Sequence, residues 1–263
     1  MKNQYYGDIS DYKKYSLIRL LTGGGEIRTA ICWELTEDDH LNDGGRVNYL
    51  KEPLEWRAYD PVVFDWLRED VLIKGERKVE NVEKSEIFSN CIFFDQLLKD
   101  SDLDRKKFFQ DFLVFSQSAS LIFFDPDNGI EVKSVPRGRN NSSKYIYWHE
   151  LRQFYQSGKS LLIYQHFPRR SRKHYIEDIV AKVFKMMGPS AVFEYVTSNV
   201  LFLLIPQKNQ EAYYRRKNRL IVRNWKNLIK VHENSIRWYS GPPISIYSTS
   251  SSNPSSLELN YEA

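Results

Sequence analysis

Cysteine is nearly absent from this chain: Cys32 and Cys91 are the two cysteines among 263 residues. Both lie in apolar, strand-like runs, which excludes a disulfide framework and a zinc-ligand set and implies a reduced, cytoplasmic setting. Long apolar runs are missing as well, since no segment approaches the ~18 apolar residues of a membrane span. The opening Met1-Lys2-Asn3-Gln4-Tyr5 lacks the apolar core of a secretion signal. Neither a membrane partner nor export is expected. No G-x-G-x-x-G follows the first strand-like run, so a pyrophosphate cradle is not supported. No G-x-S-x-G is present either, which argues against Ser/His/Asp chemistry.

What is present is enough apolar material, 41% of residues, for a large core. The net charge of +4 hides an asymmetry. Residues 29 to 130 are rich in Asp and Glu, and residues 131 to 237 carry most of the Arg and Lys, which favours an anionic partner for the second half.

The centre of the chain is Leu121-Ile122-Phe123-Phe124-Asp125-Pro126-Asp127-Asn128-Gly129. Four apolar residues end in a carboxylate, and Pro and Asn-Gly then force a turn, the pattern of a buried parallel strand delivering its carboxyl end to a loop. Open α/β sheets place their chemistry at that end, so Asp125, Asp127 and Asn128 are candidate catalytic groups. The same residues also describe a strand followed by an Asx turn.

Before it, Tyr5 to Leu21 reads as a helix capped by Asp8 or Ser10 and stopped by Gly23-Gly24-Gly25. Thr29 to Leu35 reads as the first strand, followed by the acidic loop Thr36 to Gly45, whose carboxylates suit hydroxyls, an ammonium group or a divalent metal. Residues 49 to 86 have an interrupted helical pattern and read as a helical insertion. Ile92 to Asp95 and Ser160 to Gln165 read as further strands, with helices over Arg105 to Phe115 and His149 to Tyr155. The polar loop between Ser134 and Lys144 is expected to be mobile. After the strand at 160–165 come His166, Phe167, Arg169, Arg170, Arg172, Lys173 and His174, basic residues interleaved with aromatics, a combination suited to phosphate contact and base stacking. His166 is open to two readings, a packed or base-contacting histidine and a general base.

Ala191 to Val196 and Val200 to Pro206 flank Thr197-Ser198-Asn199 and predict an antiparallel hairpin closing the sheet edge. Gln210 to Val231 reads as a basic helix, with Tyr213, Tyr214, Leu220, Ile221, Trp225 and Leu228 as its apolar side. Residues 1–239 are expected to form one domain, and the Ser- and Pro-rich residues 240–263 a disordered tail.

Gly7-Asp8-Ile9-Ser10-Asp11-Tyr12-Lys13-Lys14-Tyr15 resembles the G-N-x-A-D-x-x-K-H opening of the bacterial adenine-N6 methyltransferases that act on large-subunit ribosomal RNA. Their later blocks, a first strand with an acidic loop, a helical insertion, a D-P-P-Y strand end and a W-Y-P strand end, align in order with Trp33–Gly45, the insertion from Tyr49, Asp125-Pro126-Asp127-Asn128 and Tyr164–Pro168. The D-P-D-N-G variant also resembles a group of uncharacterised bacterial proteins. The resemblance spans residues 5 to 206. It implies a Rossmann-like, class I methyltransferase-like α/β fold with a mostly parallel sheet, and S-adenosylmethionine as cofactor. Tyr5, Gly7, Asp8, Lys14, Glu34, Asp38, Asp39 and Asp43 would then meet the cofactor, and Asp125 would accept a hydrogen bond from the target amino group, adenine N6 in the first place. Phe167, Arg169, Arg170, Arg172 and Lys173 would contact RNA or DNA. The family stacks the flipped base on a Tyr after that Asp; here Tyr5, Tyr6 or Phe167 would have to supply the ring.

Two other functions fit the residues. The carboxylates among Asp125, Asp127 and Glu131 could hold a divalent metal, with Lys133 stabilising developing phosphate charge, in a nuclease or phosphoesterase. A non-catalytic Rossmann-like nucleic-acid-binding protein would instead use the basic half alone.

Overall fold

A computed structural model describes residues 1–37, 44–225 and 227–235. Asp8, in extended backbone, accepts from the Ser10 amide at 2.8 Å and caps the first helix, α1 (Ile9–Leu21). The strand β1 (Thr29–Cys32) follows. A helical stretch then runs through α2 (Pro53–Trp56), α3 (Pro61–Leu67), a π-helical turn at Arg68–Ile73 and α4 (Val79–Glu83). Next come β2 (Cys91–Phe94), α5 (Asp102–Phe115) and β3 (Leu121–Phe124). The short strands β4 (Gly129–Ile130) and β5 (Tyr145–Ile146) pair only with each other. The chain continues through α6 (Trp148–Gln156), β6 (Ser160–His166), α7 (Arg172–Met187), β7 (Ala191–Val196), β8 (Val200–Ile205), α8 (Glu211–Trp225) and β9 (Lys230–Ser235).

The main sheet has the order β2-β1-β3-β6-β8-β7-β9. Its first four strands are mutually parallel, and the ladders β6–β8, β8–β7 and β7–β9 are antiparallel. Period-two alternation divides the apolar residues between two cores. Ile31, Phe123, Leu162 and Phe202 face one core with α1 and α8, while Cys32, Phe124, Ile163 and Leu203 face the other with α5, α6 and α7. The result is an α/β fold with a mostly parallel central sheet and helices on both faces.

Three expectations are corrected. The β7–β8 hairpin does not close the sheet: β8 lies inside, between β6 and β7, and β9 forms the edge. The expected helix to Val231 ends at Trp225, where the amides of Leu228 and Ile229 both turn back to the Trp225 carbonyl. Leu220 is 44% exposed because Tyr214, Ile221 and Trp225 define the buried stripe. The loop before Lys144 is tethered rather than loose. Asp100 accepts from the amides of Asn141 and Ser143, and Arg105 donates to the carbonyls of Ser142 and Tyr145. The tail from residue 240 lies outside the described residues.

Candidate active site

The strand order reverses at β1, whose neighbours β2 and β3 lie on opposite sides, so a crevice opens beyond the carboxyl ends of β1 and β3. This cavity, about 450 Å³, is walled by α1 and its approach, by Asp125 to Asn128, and by Tyr164 and His166 at the end of β6.

Asp11 and Lys14 stand three residues apart on α1 and therefore share a face. Lys14 Nζ donates to Asp11 at 2.8 Å and to Asp125 at 2.7 Å, and all three residues are 2% exposed. The Tyr164 ring centroid lies 5.0 Å from the same ammonium. Asp11 also accepts from the Gly7 amide at 3.1 Å. Burial would lower the Lys14 pKa, but the Asp11 and Asp125 carboxylates outweigh it and hold Lys14 charged, above the usual lysine range. Burial raises Asp11 to about 6 in spite of Lys14, with the Asp125 charge adding to the rise.

A second cluster joins the two strand ends. The α-ammonium of Met1 donates to the carbonyls of Trp33, Glu34 and Asp125 at 3.0–3.3 Å and pairs with the Asp127 carboxylate at 2.7 Å. The Thr36 hydroxyl donates to the other oxygen of Asp127 at 2.6 Å. Burial opposes ionisation of Asp127, yet the ammonium and Thr36 keep its pKa below the ordinary value.

Glu34 follows β1 with φ +45, a left-handed conformation that costs a non-glycine residue energy. It is fully buried, and neither carboxylate oxygen has a hydrogen-bond partner among the described residues. Burial raises its pKa to about 8; nearby Arg105 opposes the rise and Glu150 reinforces it.

Gln165 fixes the turn after β3. It donates to the Asn128 carbonyl at 3.2 Å and accepts from the Ile130 amide at 2.7 Å. Gly129 adopts φ +107 beneath it, and a Cβ there would run into the Gln165 amide.

Of the residues expected at a site, Tyr5, Asp8, Lys14, Asp125, Asp127, Asn128 and His166 line this one cavity. Gly7 lies behind it, and Glu34 is buried outside its wall. Asp38, Asp39 and Asp43 fall outside the described residues. Lys14 is engaged by two carboxylates rather than offering a free charge. His166 is exposed at the mouth, 3.3 Å from the Tyr164 hydroxyl.

Tyr6 cannot stack on a ligand. It is fully buried, donates to Asp70 at 2.7 Å and accepts from Trp66. Phe167 packs edge-on against Tyr175 and is covered by Arg172, while Arg170 lies over Tyr175 and Lys173 is exposed. Arg169 lies on the same exposed connection.

The carboxylates of the metal reading do not converge. Glu131 faces Lys182 in a separate groove that Lys133 also lines, and no cluster of three metal-ligating side chains occurs among the described residues.

Sequence reasoning assigned no site role to Tyr164, Gln165 or the Met1 amine, and nothing in the sequence foretells their cross-sheet contacts; Asp11 shares with Lys14 a spacing that puts both on one helix face.

No family model and no curated protein matches the chain. Among solved structures, the chain is similar to a crystal structure of a Legionella pneumophila protein carrying the family designation DUF519. The identity is 12% and the TM-score 0.44, over 87% of this chain and 97% of that one. No helix among the described residues is long and apolar enough to cross a membrane.

Proposed function

We propose that the protein transfers a methyl group from S-adenosylmethionine to an exocyclic amino group of a nucleic-acid base, adenine N6 in the first place. The observation that carries this reading is the Asp125 carboxylate, buried at the end of β3, fixed by Lys14 at 2.7 Å and lining the crevice where the strand order reverses. An acceptor held in this way can orient an amine N–H, so that its lone pair points at an electrophile.

Three carbonyls and the Asp127 carboxylate hold the Met1 α-ammonium, the same group that the aminoacyl end of S-adenosylmethionine bears, so the cofactor's ammonium would take this place by displacing the Met1 amine. When bound, the cofactor supplies a methyl group on a cationic sulfur. Lys14 holds Asp125 in place, and the His166 imidazole at the mouth can take up the proton that the methylated nitrogen releases. The basic connection after His166 would hold the phosphates.

Thermal unfolding with S-adenosylmethionine tests the first half. At a hundredfold excess over Kd, binding to the folded state contributes about 2.7 kcal/mol, or roughly 5–11 °C for a protein of this size. Transfer of labelled methyl to RNA and DNA pools tests the second, and Asp125→Asn should reduce it by on the order of 100-fold or more. Absence of both stabilisation and transfer removes the reading. Stabilisation by Mn²⁺ alone, lost in Asp125→Ala, would replace it with metal-dependent chemistry.

A further inference from the structure

A second concavity, about 490 Å³, lies between the segment following β4, the start of α6 and the flank of α7. Lys133, Arg137 and Lys182 line it together with His149, so its basic side chains come from the segment after β4 and from α7. Lys133 and Lys182 are exposed, and Lys133 makes no ion pair among the described residues. Lys182 rests over the Trp148 ring at 4.9 Å and is 3.9 Å from Glu131, the carboxylate in this wall. Arg137 is held by Asp102 at 3.0 Å and by His149 Nε2 at 2.9 Å, so its guanidinium has a fixed position.

The groove adjoins the crevice. Asn128 lines one and Glu131 the other, three residues apart, at most about 11 Å of extended chain. Lys182 lies ten residues along α7 from Arg172, about 15 Å. The crevice, the basic connection and the groove therefore lie within the reach of one short strand.

We propose that this groove is a phosphate-backbone site for the single strand whose base enters the crevice. The proposal rests on the nucleic-acid reading above and adds where the strand runs. Lys133 and Lys182 supply mobile point charges to successive phosphates, and Arg137 a fixed fork. Such contacts position a strand without reading its sequence.

The test is the salt dependence of binding of a short fluorescent single-stranded RNA to the full chain, followed by anisotropy. Each lost phosphate contact makes the slope of log Kobs against log salt shallower by about 0.7. Lys133→Ala and Lys182→Ala should each do so, the double variant by about 1.4, and equally for RNAs of different sequence. Both side chains are exposed, so circular dichroism of the variants should match the wild type. An unchanged slope in the double variant overturns the proposal, as does wild-type protein that binds no RNA. Displacement of the RNA by polyglutamate as readily as by polyphosphate would overturn it in favour of an acidic protein partner. Titration of wild type with S-adenosylmethionine alongside keeps the two readings apart. A slope change without cofactor stabilisation retains the groove and removes methyl transfer, and the converse retains methyl transfer and removes the groove.

Discussion

Replacing Glu34 with Gln should make the protein's stability less sensitive to a rise in pH from about 5 to about 8. Glu34 is buried without a hydrogen-bond partner among the described residues, and burial raises its pKa from the ordinary value of 4.5 to about 8. Its folded-state pKa thus exceeds its unfolded one, so the folded state binds the extra proton. The associated stability is fully present below about pH 4.5 and is lost as pH rises through about 8. At 1.36 kcal/mol per pH unit, this interval bounds the effect at roughly 5 kcal/mol, a large share of the 5–15 kcal/mol of an ordinary domain. The amide of Gln has nearly the same shape and no charge, but buries an additional N–H at about 1–3 kcal/mol, independently of pH. Urea unfolding of both proteins from pH 5 to 9 separates these terms. Wild type should lose stability relative to Glu34→Gln at up to about 1.4 kcal/mol per pH unit before levelling above pH 8. Contributions from Asp11 and other carboxylates appear in both curves and cancel. A difference that stays constant from pH 5 to 9 would refute the reasoning.

Other perturbations follow from the same electrostatics. Lys14→Met strands Asp11 and Asp125 as buried carboxylates, and should cost about 3–5 kcal/mol near neutral pH in urea unfolding, less at pH 5, below the pKa of about 6 to which burial raises Asp11; a loss below about 1 kcal/mol at neutral pH would contradict the buried pair. Arg105→Met leaves Glu150, otherwise paired at 2.6 Å, without its partner and should cost a similar ~3–5 kcal/mol, while adding Glu150→Met should destabilise less than the sum of the single changes. Strict additivity in that double-mutant cycle would contradict the pairing.

Much of the framework could be read from the residues because burial leaves a strong pattern. Leu121–Phe124 is apolar throughout, as a strand covered on both faces requires, and Asp8 with Gly23–Gly25 bounds the first helix. The last strand was missed because Lys-Val-His-Glu-Asn-Ser carries a single apolar residue. A strand with one free edge needs little more, and charges there discourage unwanted pairing. The tethered loop was missed for another reason: its anchors, Asp100 and Arg105, are distant in sequence. At the site, strand-end chemistry pointed to Asp125 and Asp127. Which charge each would meet was not readable, because the partners arrive from α1 and from Met1.

The contact between Lys14 and Asp125 spans 111 positions of the chain. Synthesis proceeds from the amino terminus at roughly 5–20 residues per second, so about 6–22 s separate the appearance of these two residues. Throughout that interval α1 carries a lysine that it can bury only against Asp11, leaving half of the eventual arrangement unmade. The Lys14 face of the helix therefore cannot complete its contacts until β3 has emerged. The order of translation thus delays completion of the crevice.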